Sequence, residues 1–265
     1  GDEPLQMKLK FPETVVVVSE DRVAGIERIR QEHPEVNLII MDDGFQHRKV
    51  NAKVNLILLD STRPYDTDHM LPFGRLRDLP SRLKKGHIFL VTKCSASMSP
   101  IDRRLWKKKL SFFSYHKVYF SRYSSSMVEP IYYFEEREEV EYGRQAIVVT
   151  GIGNPRPFVK DVETRFCVVE KMILPDHHIY NMDDINNLVA LFAKHPNAKL
   201  LTTEKDAVKL RRSKRVPQIV RERMFYQPLK VEFLEGSDAD FFSTLKDDLD
   251  GKIHLGDLKI TGENN

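Results

Sequence analysis

Short apolar runs recur along the chain, and many of them end at polar or acidic residues. In order they are Thr14–Val18, Val36–Met41, Val54–Leu59, His87–Val91, Ala146–Val149 and Lys199–Leu201. Uninterrupted apolar runs of about four to six residues are typical of strands that are buried on both faces of a parallel sheet. In such sheets the chemistry lies beyond the carboxyl ends of the strands, where Asp42, Asp60, Gly151 and Glu204 fall. The pattern therefore predicts an α/β fold.

Amphipathic stretches separate these runs and predict helices. The predicted helices are Asp21–His33, Asp102–Leu110 and Asp183–His195. The last one shows the clearest pattern, because Ile185, Leu188, Val189 and Phe192 recur at i, i+3, i+4 and i+7. A charged stretch, Glu135–Glu139, precedes the run at Ala146. This change in composition predicts two α/β domains, residues 1–140 and 141–265.

Composition excludes several classes of protein. The formal net charge is only +3, which does not suggest a nucleic-acid partner. The two cysteines, Cys94 and Cys167, have no Cys or His at the close spacing of a metal site and predict no disulfide framework. No apolar run approaches the ~18 residues that a membrane-spanning helix needs. We therefore expect a globular protein of a reducing, cytoplasmic compartment.

Two aspartates follow the apolar run Val36–Met41. A carboxylate at the end of a buried strand is held rigidly where a nucleotide phosphate would lie, so Asp42 and Asp43 have the arrangement of a Walker B element that holds Mg²⁺. The same letters, Asp-Asp-Gly, are equally typical of an ordinary turn. The two aspartates alone leave both interpretations open.

The longer string Asp-Asp-Gly-Phe-Gln-His-Arg at residues 42–48 resembles the signature of the tetraacyldisaccharide 4'-kinase family. Other stretches agree with that family in order and approximate spacing: Gly1-Asp2-Glu3-Pro4, Asp21-Arg22-Val23-Ala24, Leu71–Asp78, Gly151–Pro155, Pro175–His178 and Thr202–Lys209. The resemblance extends from residue 1 to about residue 212. It implies a P-loop-kinase-like parallel sheet, incomplete at its N-terminus, and a smaller C-terminal α/β domain that closes over the active-site cleft.

The resemblance also implies an activity and its residues. The activity is ATP-dependent phosphorylation of the 4'-hydroxyl of tetraacyldisaccharide 1-phosphate in lipid A biosynthesis, with Mg²⁺. Asp2 would help to deprotonate the hydroxyl and His177 would be its partner, although the sequence alone also allows two unrelated loop residues. Because residues 2 and 177 fall in different predicted domains, this pairing implies a site in the cleft.

Further site residues follow from the same resemblance. Asp42, Asp43 and Asp78 would serve the metal, with Asp78 standing where the family has a longer Glu. The expected nucleotide and phosphate contacts are Gln46, His47, Arg77, Glu204 and Lys205. The alternatives are a surface ion pair for Arg77, loop hydrogen bonds for the residues at 46 and 47, and a charged helix cap for those at 204 and 205.

The chain departs from the family in one respect. The phosphate-binding pattern G-x-x-x-x-G-K-[ST] does not occur in the 265 residues. In the family this loop and a membrane-associating helix lie upstream of the Gly-Asp-Glu-Pro element, and residue 1 here is Gly rather than Met. We therefore expect that the chain is a piece without this loop, which would bind ATP poorly and transfer phosphate negligibly.

The expected partners are the lipid disaccharide and the cytoplasmic face of the inner membrane, which a monomeric protein would contact peripherally. The basic helical stretch Arg103–Lys109 around Trp106 is a candidate for this contact, or else an ordinary solvated face. Two other functions stay open. One is a Mg²⁺-dependent phosphotransferase or hydrolase of different specificity, and the other is a non-catalytic, lipid-binding module.

Overall fold

The computed structural model describes residues 2–134, 140–213 and 216–251. The charged stretch Glu135–Glu139, on which the predicted domain boundary depends, lies outside these residues. The chain forms two compact units. Unit 1 consists of Gly1–Val18 and Ser125–Lys230, and unit 2 of Ser19–Ser124 and Val231–Asn265.

Helices and strands alternate along most of the chain. The α-helices of the described residues are α1 (Asp2–Lys10), α2 (Arg22–Glu32), α3 (Pro100–Leu110), α4 (Arg156–Arg165), α5 (Met182–Lys194), α6 (Glu204–Arg212), α7 (Gln218–Arg221) and α8 (Asp238–Asp250). The strands are β1 (Leu56–Asp60), β2 (Ile88–Thr92), β3 (Lys117–Ser125), β4 (Glu129–Pro130), β5 (Gln145–Thr150), β6 (Cys167–Ile173), β7 (Lys199–Thr203), β8 (Met224–Gln227) and β9 (Leu229–Phe233). Short 3₁₀ helices cover Tyr65–Thr67, Pro80–Lys85 and Leu234–Gly236.

Unit 1 is built around a five-stranded sheet with the order β4-β8-β7-β5-β6. Its pairs are parallel except β4 with β8, which is antiparallel. Successive residues of β5 point to opposite faces, and both faces are covered: Ala146 and Val148 belong to one buried cluster, Ile147 and Val149 to the other. Helix α5 covers the second face. Its predicted stripe is buried at all positions except Val189, which is exposed.

Unit 2 has a four-stranded sheet with the order β1-β2-β3-β9, in which β1, β2 and β3 are parallel. Strand β2 is again buried on both faces. Phe89 packs in a cluster with Trp106 and Leu110 of α3, and Ile88 packs in a cluster with Phe241 of α8. The predicted α/β fold with parallel sheets is thereby confirmed. The predicted surface role of Trp106 is not supported, because its side chain belongs to this core.

Two of the predicted strands are not formed. Thr14–Val18 and Val36–Met41 have no strand assignment, and no strand of the described residues pairs with them. Several of their apolar side chains are accordingly exposed, with Ile40 at 84% and Val18 at 69%. A strand needs a partner for its backbone N–H and C=O groups, and an apolar run alone does not supply one.

The division into units differs from a single cut near residue 140. Each unit combines two separated segments, because α1 packs on α6 in unit 1 while β9 extends the sheet of β1, β2 and β3 in unit 2. In the described ranges, no helix is both long enough and apolar enough to cross a membrane.

Candidate functional site

Polar residues of unit 1 gather at the carboxyl ends of β5 and β7. These strands are parallel neighbours, so Gly151, which follows β5, and Glu204, which follows β7, come to the same edge of the sheet. Helix α6 begins at Glu204, and Thr203 caps it by accepting the backbone N–H of Asp206. The location that the sequence predicts for the chemistry in this unit therefore lies at the carboxyl ends of two parallel strands, beside the N-terminus of α6.

The segment Pro175–Asn181 follows β6 and carries His177. The backbone of His177 lies in the left-handed region, at φ 59°, and its side chain is 68% exposed. The carboxylate of Asp176 lies beside it, with Oδ2 3.9 Å from His177 Nε2. Lys205 Nζ lies 3.9 Å from the other carboxylate oxygen of Asp176. The structure thus brings Lys205 and His177 to the same carboxylate.

The next residue, His178, is held much more firmly. Its Nε2 is 2.7 Å from Oδ2 of Asp184, which is buried at the start of α5. Asp184 also accepts the backbone N–H of Asn181 and forms a capping box with it. Tyr180 packs edge-on against the ring of His178, and burial raises the pKa of this tyrosine. The loop is therefore anchored on the side that faces α5.

Helix α1 contributes Asp2 to unit 1. Its side chain is outside what the structure describes, but its backbone opens a helix that packs on α6. Lys10 Nζ donates to Glu204 Oε1 at 3.1 Å, and the backbone N–H of Leu229 donates to Glu204 Oε2 at 3.4 Å. The compact division places Asp2 and His177 in the same unit, whereas the predicted domains separated them.

In unit 2, Asp42 and Asp43 stand on turns rather than at the end of a strand. Both are exposed, and Asp43 adopts a left-handed backbone, at φ 49°, which Asp tolerates in turns. The carboxylate of Asp43 accepts from Nη1 of Arg77 at 2.8 Å, with side-chain exposures of 66% and 65%. The turn interpretation of Asp-Asp-Gly is therefore correct for the backbone. It leaves the metal role of the carboxylates a prediction.

A second ion pair in unit 2 is more protected. Arg82 pairs with Asp78, and their side chains are only 16% and 20% exposed. Arg82 also donates to the carbonyl oxygen of Phe45 at 2.9 Å, and its guanidinium carbon lies 4.6 Å from the centroid of the Phe45 ring. One arginine thereby joins the turn after Asp43 to the segment that contains Asp78.

The remaining predicted residues lie in the same turns. Gln46 is exposed and His47 is half-buried, and the backbone N–H of His47 donates to the carbonyl of Gly44 at 3.0 Å. Within the described residues there is no group of three or more His, Cys, Asp or Glu side chains with the arrangement of a metal site. Mg²⁺ commonly takes only one or two protein carboxylates together with phosphate oxygens and water, so the exposed pair Asp42 and Asp43 fits that ion.

Sequence reasoning assigned no role in the site to several residues that support these loops. They are Asp206, Asp184 and His178 in unit 1 and Arg82 in unit 2. Two of them carry a readable signal, because Asn181 with Asp184 and Thr203 with Asp206 have the spacing of an N-cap and its third helical residue. Arg82 carries no such signal, since its partners are brought to it only by the fold.

Comparisons with known proteins agree with one another. The sequence profile of a family described as tetraacyldisaccharide-1-P 4'-kinase matches residues 1–250. A tetraacyldisaccharide 4'-kinase of Phocaeicola vulgatus is 32% identical over 254 residues, which cover 93% of this chain and 69% of the relative. One of Porphyromonas gingivalis is 34% identical over 255 residues, covering 92% and 70%.

A solved structure also matches. It is that of LpxK from Aquifex aeolicus in complex with ATP, with a TM-score of 0.67 and 24% sequence identity, and the match covers 94% of this chain and 69% of that one. This likeness confirms the kinase-like fold of the chain.

Proposed function

The chain belongs to the tetraacyldisaccharide-1-P 4'-kinase family, and on that premise we propose that its residues, together with a phosphate-binding loop that these 265 residues do not contain, serve the transfer of the γ-phosphoryl group of ATP to the 4'-hydroxyl of a tetraacyldisaccharide 1-phosphate. The match of the family profile over residues 1–250 carries this conclusion. The chain is a kinase of lipid A biosynthesis, with ATP as the phosphoryl donor.

We assign the removal of the hydroxyl proton to residues of unit 1. The O4'–phosphorus bond forms as the bond between the γ-phosphorus and the bridging oxygen of ADP breaks, and the hydroxyl proton passes to the carboxylate of Asp2. His177 is its partner, because a carboxylate orients a neighbouring imidazole and raises the basicity of the ring. The exposed ring of His177 and the presence of α1 in the same unit support the assignment.

The phosphates and the metal are assigned mainly to unit 2. Asp42 and Asp43 would hold Mg²⁺, which neutralises charge on the phosphate oxygens when it is bound, and Asp78 would assist. Gln46, His47 and Arg77 would contact phosphate oxygens, for which a guanidinium gives paired hydrogen bonds. In unit 1, Lys205 is the stronger candidate for a nucleotide contact, because Glu204 is already engaged by Lys10 and the Leu229 amide.

Contact with a membrane is a second part of the proposal. A substrate with several acyl chains lies in a bilayer, so the enzyme must work at its cytoplasmic surface. On α3, Ile101, Arg104, Leu105 and Lys108 share one helical face and are exposed, Ile101 at 70% and Leu105 at 53%. Apolar side chains beside cations suit an anionic lipid surface.

A vesicle experiment tests the membrane contact. Binding of the chain to vesicles of phosphatidylcholine mixed with phosphatidylglycerol should weaken when Arg104 and Lys108 are both changed to Gln. The matched control is Lys84→Gln with Lys85→Gln, two cations on the 3₁₀ helix of the same unit. Equal losses in both double variants would argue against α3 as the contact.

Phosphate transfer tests the kinase. The assay uses the chain joined behind the upstream segment of a curated relative, which supplies the phosphate-binding loop, and compares it with His177→Ala and with His195→Ala on α5's C-terminal side. Mg²⁺-dependent transfer to tetraacyldisaccharide 1-phosphate that falls by about a hundred-fold or more only in His177→Ala would support the proposal. Release of phosphate from unrelated phosphoesters would favour a hydrolase. Vesicle binding without ATP binding would favour a lipid-binding module.

A further inference from the structure

A fully buried carboxylate, Asp206, joins the carboxyl ends of β5 and β7 in unit 1. Its Oδ2 accepts from Thr150 Oγ1 at 2.9 Å, from the backbone N–H of Gly151 at 2.9 Å and from Thr203 Oγ1 at 2.8 Å. Lys209 Nζ lies 3.5 Å from Oδ1. Burying a carboxylate is unfavourable unless donors compensate it, and here three donors converge on one oxygen. Asp206 therefore fixes the backbone of Gly151 against the start of α6.

Gly151 in turn touches the loop that carries His177. A Cβ atom at Gly151 would lie 3.1 Å from the carbonyl oxygen of Pro175 and 3.2 Å from Cβ of His178. The backbone N–H of Leu174 also donates to the carbonyl of Thr150 at 2.8 Å. The loop rests directly on the turn after β5, so a displacement of that turn moves the loop.

The opposite side of the loop is fixed by the bond between His178 and Asp184, at 2.7 Å. His177 lies beside this anchored residue, and its own ring is exposed. Its direction is therefore set by the backbone on which it stands rather than by packing of the imidazole. The backbone of His177 is in the left-handed region, which a residue other than glycine keeps only where the surrounding structure fixes it.

We propose that Asp206 is a positioning residue for the phosphoryl transfer, which acts by holding the Gly151 turn and, through that turn, the backbone of His177. The role in catalysis rests on the proposed function. The mechanical link from Asp206 to His177 does not, so the two can be tested separately.

Magnetic resonance of the histidine rings tests the mechanical link in the chain as it stands. The chain has nine histidines, and the signals of His177 and His178 are assigned by their loss in His177→Gln and His178→Gln. In Asp206→Asn both signals should shift or broaden. The matched control is Asp240→Asn, since Asp240 in unit 2 accepts the hydroxyl of Tyr119 at 2.8 Å and undergoes the same change of charge. Unchanged signals of His177 in a folded Asp206→Asn protein would overturn the proposal.

A milder pair of variants keeps the test decisive if Asp206→Asn does not fold. Thr150→Val retains the shape of the buried side chain and removes one of the three donors, whereas Thr150→Ser retains the hydroxyl. The ring signal of His177 should move in Thr150→Val and return in Thr150→Ser. Equal spectra for the two variants would contradict the link.

The kinetic consequence is measured in the joined protein used for phosphate transfer. Thr150→Val should lower kcat on the order of ten-fold with an unchanged KM for ATP, and Thr150→Ser should restore kcat. Ring signals that move in a protein without any transfer activity would support the link while refuting the kinase. Normal transfer in Thr150→Val with unmoved ring signals would refute the positioning role alone.

Discussion

In unit 1 the segments that carry His177 and Lys205 follow strands of the sheet and are supported by the buried carboxylates of Asp184 and Asp206, whereas in unit 2 Asp42 and Asp43 stand on turns with exposed side chains. Asp206 is fully buried and has three donors on one oxygen, while Asp43 has one exposed arginine as its partner. The difference matches the proposed tasks. A proton acceptor needs a fixed geometry before the substrate arrives, while groups that bind phosphate and metal can complete their arrangement with the ligand.

The largest effect on folding stability is expected from Asp206→Ala. The change leaves Lys209, two hydroxyls and the Gly151 amide without their acceptor in a buried place, so the free energy of unfolding of unit 1 should fall by roughly 3 kcal/mol. Amide hydrogen exchange in β5 and β7 during urea titration measures it. Asp176→Ala, an exposed carboxylate of the same unit, is the control. Equal protection in both variants would show that the buried carboxylate of Asp206 stabilises unit 1 no more than an exposed one does.

A smaller loss is expected from Asp184→Ala. The variant removes the capping box of α5 and the acceptor of His178, which should lower the free energy of unfolding by about 1–2 kcal/mol. Its neighbour Asp183 is exposed, so Asp183→Ala serves as the control with the same change of charge. Exchange rates of the first-turn amides of α5 report the difference. If Asp183→Ala were equally damaging, the effect would belong to the helix dipole and not to the cap.

In unit 2, Arg82→Lys should lower the free energy of unfolding by about 1 kcal/mol, the usual net contribution of one hydrogen bond. Lysine retains the charge but cannot serve Asp78 and the carbonyl of Phe45 together through one planar group. Trp106 is the single tryptophan and lies in the core of unit 2, so its fluorescence in urea reports this unit. Arg104→Lys makes the same substitution at an exposed position of α3. If the urea midpoint shifted by the same amount in Arg104→Lys, the contacts of Arg82 would make no specific contribution to stability.

The smallest effect on stability is expected from Arg77→Met. Its pair with Asp43 is two-thirds exposed on each side, and such pairs contribute less than about 0.5 kcal/mol. The KM for ATP in the joined protein should nevertheless rise roughly ten-fold, because the proposed charged hydrogen bond of Arg77 to phosphate would be lost. A stability loss as large as that of Arg82→Lys, with unchanged KM, would give Arg77 a structural role instead.

The sequence predicted the parts of the fold that depend on burial. The runs at Val54–Leu59, His87–Val91, Ala146–Val149 and Lys199–Leu201 form strands because each finds a parallel neighbour. Thr14–Val18 and Val36–Met41 have the same composition but no strand beside them in the described residues. Apolar composition therefore predicts the tendency to form a strand, and pairing decides the result.

The candidate site was predictable to a similar extent. The sequence motifs identified His177, Asp43 and Lys205. The residues that hold the segments around them in place come from elsewhere in the chain. Asp206 reaches Gly151 across 55 positions, and Arg82 reaches Phe45 across 37. Such contacts depend on which strands become neighbours, which no local pattern states. The capping spacings at Asn181 and Thr203 were the only local signs of them.

The contact of α1 with α6 has a consequence for the order in which the protein assembles. Lys10 and Glu204 are separated by 194 positions, so during synthesis α1 leaves the ribosome tens of seconds before its partner at roughly 5–20 residues per second. In that interval α1 lacks its contact with α6, and a helix of 9 residues is marginal by itself. The packing of α1 on α6 is therefore a late step in the biogenesis of unit 1, and nascent chains stalled before α6 would leave α1 open to proteases and chaperones.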